Sequence, residues 1–207
     1  MSAFVRFRRV DEAPTDFSIE AVEEGGKVEL NDILARWSLE CDEILRAHPT
    51  LSARDTEIVL TAKKVYDFII GFLKCPYSKE TPFYVAKSEG RVFSVAVLDE
   101  CTEIISLDPR VLGDCIDILA LVSDPNNLPI SIHPCRIKGA GSSLIHKVMD
   151  VVCEGSYVGI VTDSYDSSVG FYAKFGFINV EKEETEEEGQ HMMLLKEHFS
   201  GVRKKSA

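Results

Sequence analysis

The sequence predicts an α/β fold in one domain, a mixed sheet with helices on both faces, and three observations lead there. Apolar residues recur at two-residue spacing in some segments and at three- and four-residue spacing in others, so strands and helices are both expected. These segments alternate in the order β-α-α-β-β-(β)-β-α-β-α-β-β, without an internal repeat or a linker. Of the 207 residues, 45% are hydrophobic and 28% charged. A chain of that length and balance can bury its own core without a disulfide or metal staple.

The first strand is expected over residues 4–10, where apolar and basic residues alternate, and Pro14 and Asp16 break it. Leu30, Ile33, Leu34, Trp37, Cys41, Ile44 and Leu45 then form one stripe of an amphipathic helix, stopped at His48-Pro49. Ser52, followed by Asp55, has the pattern of an N-cap with an acidic N3 partner, which opens a second helix. Its expected buried stripe is Ile58, Ala62, Val65, Ile69 and Phe72, with Pro76 as the stop. Strands over 83–87 and 92–98 are joined by the turn Ser88-Glu89-Gly90-Arg91, and 102–107 extends the sheet. Residues 115–122, CIDILALV, are the most apolar strand candidate and therefore the central one. Next come a helix over 141–153, a second interior strand over 157–162 and a short helix over 167–174 stopped by Gly176. A hairpin of 177–180 with 192–195 closes the domain at about residue 199, across an acidic loop at 181–190. Residues 200–207 are expected to be a disordered tail.

The formal charge is -11, and a surface of that sign repels phosphate. Nucleic acid and anionic membranes are therefore not expected as partners, and the charge leans towards cationic ones such as amines. The six cysteines are scattered, several within apolar runs, and no two form C-x-x-C. That suits a reducing compartment, so a cytoplasmic location is expected. The first ten residues lack the apolar core of a signal peptide, and runs such as 68–73 are too short to span a bilayer.

The segment Arg136-Ile137-Lys138-Gly139-Ala140-Gly141-Ser142-Ser143-Leu144-Ile145 follows an apolar strand and a loop and opens a helix. Glycines at 139 and 141 admit backbone conformations closed to other residues and leave no Cβ to block a ligand. Successive N–H groups, the first helical turn and its dipole can then converge on an anion, with Arg136 and Lys138 adding charge. Such a turn suits a pyrophosphate. A tight helix start with two incidental basic residues accounts for the segment equally well when it is taken alone. A P-loop is excluded, because G-x-x-x-x-G-K-[ST] is absent, and no third glycine completes G-x-G-x-x-G.

Arg136, Gly139 and Gly141 resemble the phosphate-binding pattern [RQ]-x-x-G-x-[GA] of the GNAT superfamily of acyl-CoA-dependent N-acyltransferases. Phe171-Tyr172-Ala173-Lys174-Phe175-Gly176-Phe177 is similar to that family's Y-x-K-x-G-F signature, and the element order agrees from about residue 4 to 195. The resemblance implies a mostly antiparallel sheet and a helical region, enlarged here over about 30–74, that borders the acceptor side. It also implies that acetyl-CoA donates an acetyl group directly to an amine, either a small molecule or a lysine or N-terminal amine. Backbone groups at the end of the central strand would hold the pantetheine, with an N–H of Leu121 or Val122 polarising the thioester carbonyl. Arg136, Ile137, Lys138, Gly139, Ala140, Gly141 and Ser142 would hold the diphosphate. Tyr172 would protonate the departing thiolate, since a phenol ordinarily titrates near about 10; a place among core aromatics is compatible with that role.

Two features depart from the family pattern. The loop 123–135 is long, so 128–132 with His133-Pro134 competes with 115–122 as the central strand; Pro129 disfavours it. Ser164, Tyr165 and Asp166 stand where the family often has an asparagine. For the general base, Asp117, Asp163 and His133 are candidates, against ordinary exposed or capping roles. Histidines at ligand spacing, a zinc-completing cysteine pair and a G-x-S-x-G elbow are all missing. The rival reading is an acyl-CoA-binding or interaction module without turnover. Acceptor identity and oligomeric state are not legible.

Overall fold

The computed structural model describes residues 17–75, 81–107, 110–132, 137–180 and 189–199. The strand expected over 4–10, Pro76, His133, Arg136, most of the acidic loop and the tail 200–207 lie outside the described residues.

Helix α1 (Lys27–Ala47) buries Leu30, Leu34, Trp37, Ser38 and Cys41; Ser38 joins the expected stripe, while Ile33, Ile44 and Leu45 are half-buried. His48 caps it at φ -126 and ψ 66, outside the helical region that a following proline disfavours. Helix α2 (Ala53–Leu73) starts as its sequence predicts, with the Ser52 hydroxyl accepting the Asp55 N–H at 3.0 Å. Its buried stripe differs: Tyr66 takes the place expected for Val65, Val59 joins it, and Phe72 is only half-buried. An aromatic can occupy that place because its hydroxyl donates to the Ser123 carbonyl, while the ring packs edge-on against Trp37 at 5.6 Å.

The sheet has seven strands in the order β1-β2-β3-β4-β5-β7-β6. They are β1 (Ser18–Ala21), β2 (Phe83–Ser88), β3 (Arg91–Leu107), β4 (Arg110–Ser123), β5 (Gly159–Ser164), β6 (Ile178–Asn179) and β7 (Gln190–Leu195). It is mostly antiparallel, β4 and β5 forming a parallel pair. Strand β1 is short, with Ile19 and Ala21 alternating with Ser18 and Glu20; backbone pairing to β2 and the Lys87–Glu20 ion pair hold it there. Residues 102–107 continue β3 instead of forming a strand of their own. The β2–β3 turn is where the sequence puts it: Glu89 and Gly90 both have positive φ, 52 and 76, matching the twist of a tight hairpin. The apolar run 115–122 lies inside β4, the middle strand of the order, as expected. Helices α3 (Ala140–Glu154) and α4 (Asp166–Ala173) agree with their predicted spans to within a residue.

Two compact units divide the chain: Met1–Val95 with Leu121–Leu144, and Ala96–Ala120 with Ile145–Ala207. Leu34, Ile69 and Phe83 are fully buried in the first, Ile118, Ile145, Met149, Ile160 and Leu194 in the second. Truncating one of these aliphatic side chains to alanine costs roughly 2–5 kcal/mol.

Candidate functional site

In the first unit, the end of β4 is fixed by hydrogen bonds from three directions. Ser94 Oγ donates to the Val122 carbonyl at 2.6 Å, and Tyr66 donates to that of Ser123. Asp124, fully buried, accepts from the Asn126 N–H at 2.9 Å and from Arg91. Those bonds cap a single 3-10 turn, Pro125–Asn127. After it the chain runs through bends and a turn, so the rival strand at 128–132 does not form.

A hydrogen bond ties the glycine turn to this structure: Asn127 Oδ1 accepts the Ile137 N–H at 2.9 Å. Ile137 was expected to contribute to an anion site, and its amide is already committed. Gly139 has φ +107, a conformation that costs an L residue dearly, so glycine is required there. A Cβ at this position would find Phe17 only at 3.5 Å, so the requirement comes from the backbone angle and not from space. Ser143 N–H then donates to the Gly139 carbonyl at 2.8 Å, closing the first turn of α3. By helix geometry the amides of Ala140, Gly141 and Ser142 precede any intrahelical acceptor and point out of the helix start. Gly141, expected to need the same freedom as Gly139, lies within helix α3 and has no positive φ. Lys138 is exposed beside the turn, and Leu121 is half-buried within β4.

In the second unit, the parallel ladder of β4 and β5 pairs 115–117 with 159–161. Both strands run on, and Thr162 Oγ1 donates to the Ile118 carbonyl at 3.0 Å. Thr162 also hydrogen-bonds Tyr172 of α4. Tyr172 is 5% exposed, between Phe171 and Phe177 at 5.2 and 5.3 Å, so the aromatic-core role holds. Burial pushes its hydroxyl up to about 12; the Thr162 bond opposes this, and the charge of Asp117 adds to it. Two predicted residues, Tyr172 and Asp117, are thereby brought into one electrostatic neighbourhood. Tyr172 keeps its proton across the physiological range and is a donor there.

Burial also pushes the thiols of Cys41 and Cys101 up to about 12 and that of Cys115 to about 11. A thiol in that range is not a ready nucleophile. Asp163, two residues beyond Asp117's partner Val161, pairs with a residue the sequence did not single out: His191 Nδ1 is 2.7 Å from its Oδ1. The strand expected from residue 192 in fact begins at Gln190, so His191 lies directly across from Asp163. Among the described residues no group of His, Cys, Asp and Glu is arranged to hold a metal, and no helix is long and apolar enough to cross a membrane.

Solved structures with similar folds include acetyltransferases. The GCN5-related N-acetyltransferase "Aminotransferase, Class-II" from Rhodopseudomonas palustris is similar at TM-score 0.51 and 12% identity, over 89% of this chain and 98% of its own. The fold is that of a GCN5-related N-acetyltransferase. A structure described as a bacterial toxin is similar at TM-score 0.50 and 10% identity, over 66% of this chain and 82% of that one. AtaTR bound with acetyl-CoA is similar at TM-score 0.49 and 12% identity, over 91% and 98%. No protein-family model matches the sequence, and no curated relative does.

Proposed function

We propose that the protein transfers an acetyl group from acetyl-CoA to a primary amine by direct attack. The carrying observation is the turn at Gly139. A glycine held at φ +107 hands the chain into α3, leaving outward-facing amides at the positive end of a fifteen-residue helix. Gly139, Ala140, Gly141 and Ser142 supply the donors of the proposed diphosphate site, with Arg136 and Lys138 adding charge and Ile137 lending its place in the turn. Leu121 and Val122, at the end of β4, supply the backbone groups for the pantetheine and the thioester oxygen. One such N–H donor is worth about 10²–10³ in rate.

Tyr172 is the proposed general acid. A hydroxyl pushed up to about 12 stays protonated until a thiolate departs, and its hydrogen bond then stabilises the leaving sulfur. The suppressed acidity of Cys41, Cys101 and Cys115 favours direct transfer over a thioester on the enzyme. Asp117 is read as an electrostatic partner of Tyr172 and a weak candidate base. The acceptor is a small-molecule amine, or a lysine or N-terminal amine, in keeping with the charge of -11.

Calorimetry with acetyl-CoA against S-acetyl-pantetheine, which lacks the diphosphate, followed by thiol release over a panel of primary amines, tests the reading. Binding that needs the diphosphate, with amine-dependent thiol release, is the expected outcome. Undiminished affinity in Arg136→Glu would remove the phosphate assignment.

A further inference from the structure

The pair formed by Asp163 and His191 has a construction that an ordinary surface ion pair does not need. Of the Asp163 side chain 53% is exposed, whereas the His191 side chain behind it is only 7% exposed. His191 Nδ1 meets Asp163 Oδ1 at 2.7 Å across the β5–β7 ladder. Its other nitrogen, Nε2, is buried and makes no hydrogen bond among the described residues, with Glu103 Oε2 3.6 Å away. Burying a ring nitrogen unsatisfied is costly, and a purely structural role at this place would be served by an apolar residue like its neighbours Met192 and Met193.

The strand supplies the second observation. Consecutive residues of β5 leave the sheet on opposite faces. Thr162 is buried and bonded to Tyr172; Asp163, the next residue, presents its carboxylate on the other face. A proton donor and a proton acceptor therefore flank the same point of β5, just past the last ladder pair with β4, Asp117 with Val161.

We infer that Asp163 accepts the proton of the attacking amine and that His191 is the residue positioning it. This rests on the acetyl-transfer reading above. The neutral amine attacks the thioester carbon; a C–N bond forms and the C–S bond breaks. The attacking nitrogen, made acidic by its new bond, gives its proton to Asp163 Oδ2 and keeps the electron pair as the amide forms. His191 Nδ1–H donates to Oδ1, which turns Oδ2 outward. The thiolate takes the Tyr172 proton, and solvent returns the proton from Asp163 to the tyrosine. The exposed carboxylate also selects acceptors carrying a second positive charge near the reacting amine.

The test is thiol release from acetyl-CoA with spermidine and with a lysine-bearing peptide, on the full chain, beside calorimetry with acetyl-CoA. Asp163→Asn, which keeps size and exposure, is expected to lower kcat about 100-fold or more with acetyl-CoA affinity unchanged. His191→Asn, which retains a donor near the Nδ1 position, keeps most of kcat; His191→Leu loses it about tenfold or more, with KM for the amine unmoved. Asp163→Asn within twofold of wild-type kcat, or equal losses in the two His191 variants, overturns the inference while leaving acetyl transfer standing. Wild-type protein that binds acetyl-CoA but releases no thiol overturns both, and failure to bind acetyl-CoA at all places the fault in the diphosphate assignment.

Discussion

In the proposed reading, the glycine turn before α3 and the β5–β7 strand pair would serve the chemistry by opposite means. The turn works through main-chain amides, and a single residue decides its shape: Gly139 at φ +107. Everything it needs lies close in sequence, including the Asn127 acceptor ten residues before Ile137. The strand pair works through side chains, Asp163 and His191, that are 28 residues apart and meet only because β7 lies against β5 in that register. Backbone sites are robust to side-chain change but depend on one torsion; side-chain sites tolerate torsional drift but fail with one substitution.

The largest expected effect separates binding from chemistry. Tyr172→Phe should lower the rate of thiol release about 10²–10⁴-fold with acetyl-CoA affinity held, as measured by stopped-flow thiol detection beside calorimetry. Affinity falling in parallel would mean that the tyrosine serves the binding surface, and the contrast between the two regions would collapse.

Gly139→Val attacks the turn through its torsion. The strained backbone is expected to cost about 1–3 kcal/mol in thermal unfolding and to weaken CoA binding by about tenfold or more. A variant of normal stability and affinity would show that the turn can be built without a positive φ. Asn127→Ala is a milder version: losing the acceptor for the Ile137 amide is expected to cost about 1 kcal/mol, read as roughly fivefold weaker CoA binding. Ser52→Ala, at the start of α2 and outside both regions, should lose about 1 kcal/mol of stability and leave turnover alone.

The smallest effect is alkaline. Burial pushes the Tyr172 hydroxyl up to about 12 in the folded chain from its ordinary value of about 10 in the unfolded one. Its stabilising contribution is complete below pH 10 and is lost as pH rises from 10 towards 12, because only the unfolded chain releases the proton early. Alkaline unfolding of Tyr172→Phe should therefore lack that portion of the slope, and the acid limb should be unchanged.

The legible parts of this molecule are those governed by local rules. The cap at Ser52, the hairpin turn at Glu89-Gly90 and the apolar β4 run each announce themselves within a few residues, since capping, positive φ and burial on both sheet faces are decided locally. Strand β1 was not legible although Ile19 and Ala21 alternate with Ser18 and Glu20, because four residues are too short a run to stand out and pairing to β2 settles their place at the end of the sheet. The Val65 expectation failed for a related reason. Helical periodicity allows either 65 or 66 inside, and the Ser123 carbonyl, 57 residues away, settles it by satisfying the Tyr66 hydroxyl.

By itself, the chain's order of residues determined the four helices, the central apolar strand and the glycine that a helix start requires, since each follows from forces acting over a few neighbouring residues. Tertiary structure alone decided that the Ile137 amide is spoken for by Asn127, that Gly141 is an ordinary helical residue, and that a buried histidine stands behind Asp163. Those facts depend on which distant segments share a strand register or a hydrogen bond, and no spacing along the chain encodes such distances.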